Sequence, residues 1–198
     1  MKYLIGLGNP GKEYENTRHN IGRLCLLELA SACGFSAWEH DTYAQALRSR
    51  GALGGEQVEL LLPETFMNKS GETLRYLVDK EGATAADFVV LHDEIDVAFG
   101  DLKLSRGRGD GGNNGIKSVI AQLGSKDFLR MRIGIASTHW WSGKTCRPPG
   151  GAALNRFVLG KFAFFERAKL AGLYEEVQAV LQTLVRSGEA AAMNQHNK

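Results

Sequence analysis

The chain has 198 residues, 43% of them hydrophobic, and a formal net charge of +2. That is enough apolar material for a full core in one domain, and it excludes a polycation, so an anionic partner has to be met by a local concentration of Lys and Arg. Three cysteines in a chain this long make no disulfide framework, and with neither a charged-then-apolar leader nor an apolar run of about 18 residues, neither export nor membrane spanning is expected. Cys25 and Cys33 fall on one predicted helix about 12 Å apart, too far to bridge. The expected protein is a soluble cytoplasmic monomer with reduced thiols.

In chain order, Lys2-Tyr3-Leu4-Ile5-Gly6-Leu7 reads as a strand that breaks into Gly8-Asn9-Pro10-Gly11 and a polar run ending in Arg18-His19-Asn20. Ile21, Leu24, Cys25, Leu29 and Cys33 recur at helical spacing, with Asn20 placed to cap the start and Gly34 to stop the end. Segments near 44–49 and 57–62 read as paired strands joined by the glycine-rich stretch 51–55. Leu74, Leu77 and Val78 mark a second helix. Phe88-Val89-Val90-Leu91 is short, continuous and apolar, as in a central strand buried on both faces, and is expected to end at His92-Asp93-Glu94. A strand near 102–105, a glycine-rich loop at 107–112, a helix over 114–123 and a strand at 131–135 follow. Residues 138–153, with two Trp, two adjacent Pro and three Gly, read as a long loop. A last helix spans about 163–186, and the Ala- and Asn-rich residues 187–198 read as a loosely specified tail to a domain over 1–186. The interleaving predicts the α/β class: a single compact domain with a mixed β-sheet surrounded by α-helices.

Four segments put carboxamide, imidazole or carboxylate groups at the ends of predicted strands or the starts of helices: Asn9 with His19, Asn68, Asp93 and Asn114. A His with a pKa of about 6.5 can take a proton at neutral pH, and a carboxylate can fix its tautomer and stabilise the imidazolium. Asn side chains offer N–H donors to a developing oxyanion without adding charge. Together they point to hydrolysis of an activated carbonyl by water. Against this stands the ordinary use of a loop Asn as a turn or helix cap. His92 could be the base instead, but neighbours on a strand point to opposite faces, so only one of His92 and Asp93 should face a given site. There is no Gly-x-Ser-x-Gly elbow, no His-x-x-x-His pair and no cysteine spacing that fits zinc. Gly6-Leu7-Gly8-Asn9-Pro10-Gly11 fits the dinucleotide fingerprint in letters, yet the polar run after it delays the helix to about residue 20, whereas the fingerprint needs the helix to begin within the glycines. Positive charge gathers at Lys103, Arg106, Arg108, Lys117, Lys126, Arg130 and Arg132, beside a predicted helix N-terminus, a pattern suited to phosphate or to a merely solvated face.

Six blocks in order strongly resemble bacterial peptidyl-tRNA hydrolases: Gly6-Leu7-Gly8-Asn9-Pro10-Gly11 through Tyr14, Thr17-Arg18-His19-Asn20 and Gly22; Phe66-Met67-Asn68 with Ser70-Gly71; His92-Asp93-Glu94 with Asp96; Gly111-Gly112 with Asn114-Gly115 and Lys117-Ser118; Arg130 with Arg132-Ile133-Gly134-Ile135; and Phe157-Val158-Leu159-Gly160. The resemblance implies hydrolysis of the ester between a peptide and the terminal ribose of tRNA, without metal or organic cofactor. It also implies roles. His19 would activate water and Asp93 would hold its basic form. Asn68 and Asn114 would grip the substrate and its tetrahedral intermediate, and Asn9 would sense the peptide side of the ester. Tyr14 and Phe66 would line the cleft, and Lys103 and Arg132 would engage tRNA phosphate. The chain departs from the family pattern at Asn113, where a His is usual, and at Ser105, where a basic residue is usual and Arg106 or Arg108 could substitute. A noncatalytic RNA-binding relative is the rival reading, and an intact His19 and Asp93 argue for the enzyme.

Overall fold

The structure, a computed structural model, describes residues 1–139, 141 and 144–197. Its strands are β1 (Lys2–Gly6), β2 (Glu39–Asp41), β3 (Ala46–Leu53), β4 (Glu56–Pro63), β5 (Phe88–Ala98), β6 (Leu102–Arg106), β7 (Leu129–Thr138) and β8 (Thr145–Cys146). Its helices are α1 (Ile21–Ala32), α2 (Gly71–Glu81), α3 (Asn114–Leu123), α4 (Ala152–Val158), α5 (Phe164–Ser187) and α6 (Glu189–His196). The sheet runs β2-β3-β4-β1-β5-β7-β6, with β8 paired to the end of β7. Its centre, β4-β1-β5-β7, is parallel, while β2, β3, β6 and β8 pair antiparallel.

The apolar runs of β1, β4 and β5 exist because both faces of the sheet are covered. On one face Leu4, Leu60, Leu91 and Met131 pack with Leu26, Val177 and Ala192 from α1, α5 and α6. On the other, Ile5, Leu61, Phe88 and Val90 pack with Leu74, Leu77, Ile116 and Val119 from α2 and α3. β1 leads through α1 toward β4 on one side, and β5 leads toward β6 and β7 on the other. The connections therefore part between β1 and β5, and open α/β sheets place their sites at the carboxyl ends of such strands.

The expected α/β architecture holds, and several boundaries differ for identifiable reasons. The hairpin loop is shorter than the stretch 51–55: β3 continues to Leu53, which pairs with Glu56 across Gly54 and Gly55, both at positive φ. β5 does not end at His92-Asp93-Glu94. Ile95 and Val97 stay buried, and the ladder to β7 resumes at Ala98 after an irregularity that begins at Glu94. The expected loop at 138–153 contains β8, and Ala152 and Ala153 already belong to α4; Trp140, Ser142 and Gly143 lie outside the described residues. The segment read as a loose tail forms α6, with Ala192 fully buried. There the Asn197 carboxamide accepts from Leu104 N at 2.7 Å and donates to Leu104 O at 2.9 Å, closing part of the open edge of β6.

The first turn of α1 rests directly on the ends of β1 and β5. Leu7 N donates to Leu91 O at 3.0 Å and Arg23 N to Leu7 O at 3.2 Å. A Cβ at position 22 would stand 2.3 Å from Leu91 O, a backbone atom that cannot swing aside. At position 115 a Cβ would meet Met67 Sδ at 2.5 Å, the far end of a flexible side chain. Gly22→Ala should therefore lower stability by about 1–3 kcal/mol, read as a shifted urea midpoint with unchanged slope, and Gly115→Ala should lower it less. A Gly22→Ala protein as stable as its parent would show that the helix can lift off the strand ends.

Candidate active site

His19 sits in a short 3-10 turn, Arg18–Asn20, between β1 and α1. Its Nδ1 lies 2.9 Å from Asp93 Oδ1, which makes Nδ1 the donor to the carboxylate and leaves the Nε2 lone pair able to accept a proton. The two side chains are 12% and 4% exposed, so the contact is screened from water. Burial pushes the imidazole pKa down, but the Asp93 charge and hydrogen bond push it up by more, and the net displacement is above the ordinary 6.5. Asp93 is held from a second direction by Asn113, whose Nδ2 donates to Oδ1 at 2.8 Å and to the Asp93 carbonyl at 3.3 Å.

His92 is not an alternative base. Its Nδ1 donates to the Asp93 carbonyl at 2.8 Å, its ring is buried, and that burial pushes its pKa below the ordinary value. Alternation along β5 carries it to the sheet face opposite Asp93.

Asn9 continues the β1 end. Its backbone N–H donates to Asn20 Oδ1 at 2.8 Å, and Asn20 Nδ2 donates to its carbonyl at 2.9 Å. Asn20, expected as a helix cap, thus makes no capping bond and braces Asn9 instead. The Asn9 side-chain oxygen accepts from Met67 N at 2.8 Å, which orients its Nδ2 as the remaining donor. Asn9, His19, Phe66, Met67, Asn68 and Asn114 line a common open cleft of about 470 Å³, with Asn155, Val158 and Leu159 as its other wall. Asn68 lies in a 3-10 turn before α2 and Asn114 is the first residue of α3; both are exposed, and neither side chain caps a helix. The cap of α3 is Asn113, which accepts from Gly115 N and Ile116 N. Tyr14 meets the exposed Phe66 ring edge-on, with centroids 6.3 Å apart. A narrower recess behind His19 is lined by Asp93, Glu94, Asn113 and Arg147, and Arg147 pairs with Asp96 at 2.8 Å.

Lys103 and Arg132 stand opposite each other across β6 and β7, outside the cleft lining. Lys103 is exposed, whereas Arg132 pairs with Glu94 at 2.9 Å. The larger basic cluster shrinks on inspection. Arg130 is buried over the Phe128 ring and donates to the carbonyls of Gly109 and Arg108. Arg106 is taken up by Glu189 at 2.6 Å and Asp127 at 3.3 Å, on the sheet face opposite Lys103, and so does not stand in for a basic residue at 105. Arg108, Lys117 and Lys126 are exposed.

Residue-level reading missed the brace around His19. Arg18 is buried, donates to Glu166 Oε2 and to the Lys161 carbonyl, both at 2.7 Å, and lies 4.5 Å from the Phe157 ring centroid. Its backbone N–H bonds Gly160 O at 3.0 Å. Arg18 thereby joins the turn carrying His19 to the α4–α5 connection. Its place between Thr17 and His19 in the Thr17-Arg18-His19-Asn20 motif was the available signal. Among the described residues no group of three or more His, Cys, Asp or Glu side chains is arranged to hold a metal ion, and no helix is long and apolar enough to cross a membrane.

Comparison with known proteins places the chain by family and fold. A family model described as peptidyl-tRNA hydrolase matches residues 3–198. A peptidyl-tRNA hydrolase of Syntrophotalea carbinolica is 38% identical over 197 residues, covering 100% of this chain and 97% of the relative. One of Nocardia farcinica is 39% identical over 193 residues, covering 97% and 94%. The crystal structure of peptidyl-tRNA hydrolase from Acinetobacter baumannii superposes with a TM-score of 0.87 at 31% identity, covering 100% of this chain and 94% of that one. With a family model matching residues 3–198 and relatives 38–39% identical over nearly its whole length, the chain belongs to the peptidyl-tRNA hydrolase family.

Proposed function

We propose that this family member hydrolyses peptidyl-tRNA by direct attack of a water molecule that His19 deprotonates, returning tRNA from stalled or aborted translation. The observation that carries the reading is the 2.9 Å contact of His19 Nδ1 with Asp93, in a ring that lines the same cleft as Asn9, Asn68 and Asn114. Water would give its proton to Nε2 as its oxygen bonds to the ester carbonyl carbon, with Asp93 stabilising the imidazolium. The oxyanion so formed would meet N–H donors from Asn68 and Asn114; one such donor is worth about 2.7–4 kcal/mol where it has been measured. Collapse breaks the bond from carbonyl carbon to ribose oxygen. The imidazolium then returns its proton to that oxygen, and peptide acid and tRNA leave.

Asn9 suits the peptide side. With its oxygen committed to Met67 N, its Nδ2 presents a donor, which complements the amide carbonyl of a peptide and opposes the ammonium group of a free aminoacyl ester. Tyr14 and Phe66 would supply the apolar floor beside it. Lys103, exposed next to Arg132, is the cation we assign to tRNA phosphate; Arg132 would have to share itself between phosphate and Glu94. Assembly of the site within one chain supports action as a monomer, and the free Cys25, Cys33 and Cys146 support the cytoplasm as the working compartment.

His19→Ala should reduce release of peptide from peptidyl-tRNA by roughly 10²–10⁴-fold with little change in tRNA affinity; near-parental turnover would remove His19 from the chemistry. Because neutral imidazole is the working form and its pKa is raised above 6.5, kcat/KM should fall as pH drops through a value above 6.5, and a limb centred below that value would contradict the Asp93 interaction. Lys103→Ala should weaken tRNA binding and reduce the slope of log affinity against log salt by about 0.7, the value for one single-strand phosphate contact. An unchanged slope would move the phosphate site elsewhere.

A further inference from the structure

Asn113 stands at a junction that the proposed chemistry does not use. Its side-chain oxygen accepts from Gly115 N at 3.0 Å and Ile116 N at 3.2 Å, capping α3. Two backbone donors at that oxygen fix the orientation of the amide, so the Nδ2 end has to face Asp93. There it donates at 2.8 Å to Oδ1, the same carboxylate oxygen that His19 Nδ1 approaches at 2.9 Å. One oxygen thus receives two donors, one from the base and one from the N-terminus of α3.

We propose that Asn113 is a positioning residue for the His19–Asp93 pair: it fixes the carboxylate against α3 and draws charge from Oδ1, so that residue 113 sets how strongly Asp93 holds a proton on His19. This rests on the reading of His19 as the base. A hydrogen bond to a carboxylate favours its charged form and disperses its charge. The negative potential at His19 is therefore smaller with the Asn113 donor in place, and less of the imidazole population is locked as imidazolium at neutral pH. The other charged groups around the ring act from further off or are already paired. Glu94 on β5 is paired with Arg132, and Arg147 before α4 with Asp96. Asp110, in the loop before α3, accepts from Gly112 N at 2.8 Å. Arg18, on the same turn as His19, is paired with Glu166, and the α4 residues lining the recess, Leu154, Asn155 and Val158, are uncharged. Asp93 is the charge that acts on the ring, and Asn113 is the group that moderates it.

A helix cap alone would also explain the presence of an Asn at this corner, so the test has to separate cap from donor. Asn113→Ser keeps a good capping oxygen on a side chain too short to reach Asp93. Asn113→Asp keeps cap and shape but replaces the donor by a second carboxylate. The His19 ring should be titrated by NMR in the substrate-free protein, alongside the pH profile of kcat/KM on peptidyl-tRNA. We expect the His19 pKa to rise by roughly 0.3–1 unit in Asn113→Ser and by more in Asn113→Asp, with the acid limb of kcat/KM moving by the same amount. One unit corresponds to about a tenfold loss on that limb, larger than the loss at high pH. A ring that titrates as in the parent in both variants would overturn the proposal, as would a uniform fall in rate with an unmoved limb, which is the mark of a cap and nothing more. The ring titration needs no substrate, so failure of the Asn113 proposal and failure of the hydrolytic reading give different results.

Discussion

Between the carbonyl oxygen of Leu91 and the backbone of Gly22 there is no space for a methyl group, and the site follows from that close approach. α1 can lie across the ends of β1 and β5 because position 22 carries no side chain. The turn just before it then delivers His19 to Asp93, 74 residues further along the chain. The same turn is held on its far side by Arg18, whose guanidinium reaches Glu166 and the Lys161 carbonyl. The His19 imidazole is therefore fixed between a strand of the central sheet and the α4–α5 connection. Buried pairs of this kind contribute little net stability once desolvation is counted; what Arg18 and Glu166 contribute is a definite position for the backbone that carries His19.

Much of this was legible in the residues. Phe88 through Leu91 announced a strand buried on both faces, Lys2 through Leu7 a first strand, and the periodicity of Ile21 through Cys33 gave α1 almost to its ends. Asn9, His19, Asn68 and Asn114 were picked out by residue type at element ends, and they line one cleft. What stayed hidden shares a cause: a polar side chain bonded to something distant in sequence looks locally like a cap. Asn20 precedes a helix, yet its carboxamide serves Asn9, 11 residues back. Asn113 is a true cap, yet its other end serves Asp93, 20 residues back. The C-terminal helix was hidden for a different reason. Alanines carry little hydrophobic contrast, and the docking of α6 depends on Arg106, Leu104 and the Asn197 carboxamide, none of which shows as periodicity.

Charge is distributed by the same logic. Seven basic residues over 103–132 look like one phosphate-binding surface in the sequence, but the fold uses several of them internally. Arg130 anchors the glycine-rich loop through two carbonyls, and Arg106 anchors α6. Alternation along β6 and β7 leaves Lys103 beside Arg132 on the face away from α6. A chain with a net charge of +2 can in this way keep Lys103 and Arg132 side by side on one face while Arg106 and Arg130 hold a helix and a loop.

Stability and the proposed function pull apart at His19. The raised pKa of His19 means that the folded protein holds that proton more tightly than the unfolded chain does. The resulting stabilisation is fully present below the unfolded value of 6.5 and is lost as pH rises through the folded value. As the proposed base, however, His19 works only after the proton has gone, so the active form would be the one that has given up this contribution. A stronger Asp93 interaction would stabilise the fold in acid and withdraw the base at neutral pH. Burial of the imidazole, which favours its neutral form, acts against that outcome, and the Asn113 donor on Asp93 would act with it as proposed. On the proposed reading, the corner where β5, α3 and the His19 turn meet lets the carboxylate orient the imidazole while limiting how strongly it holds the proton.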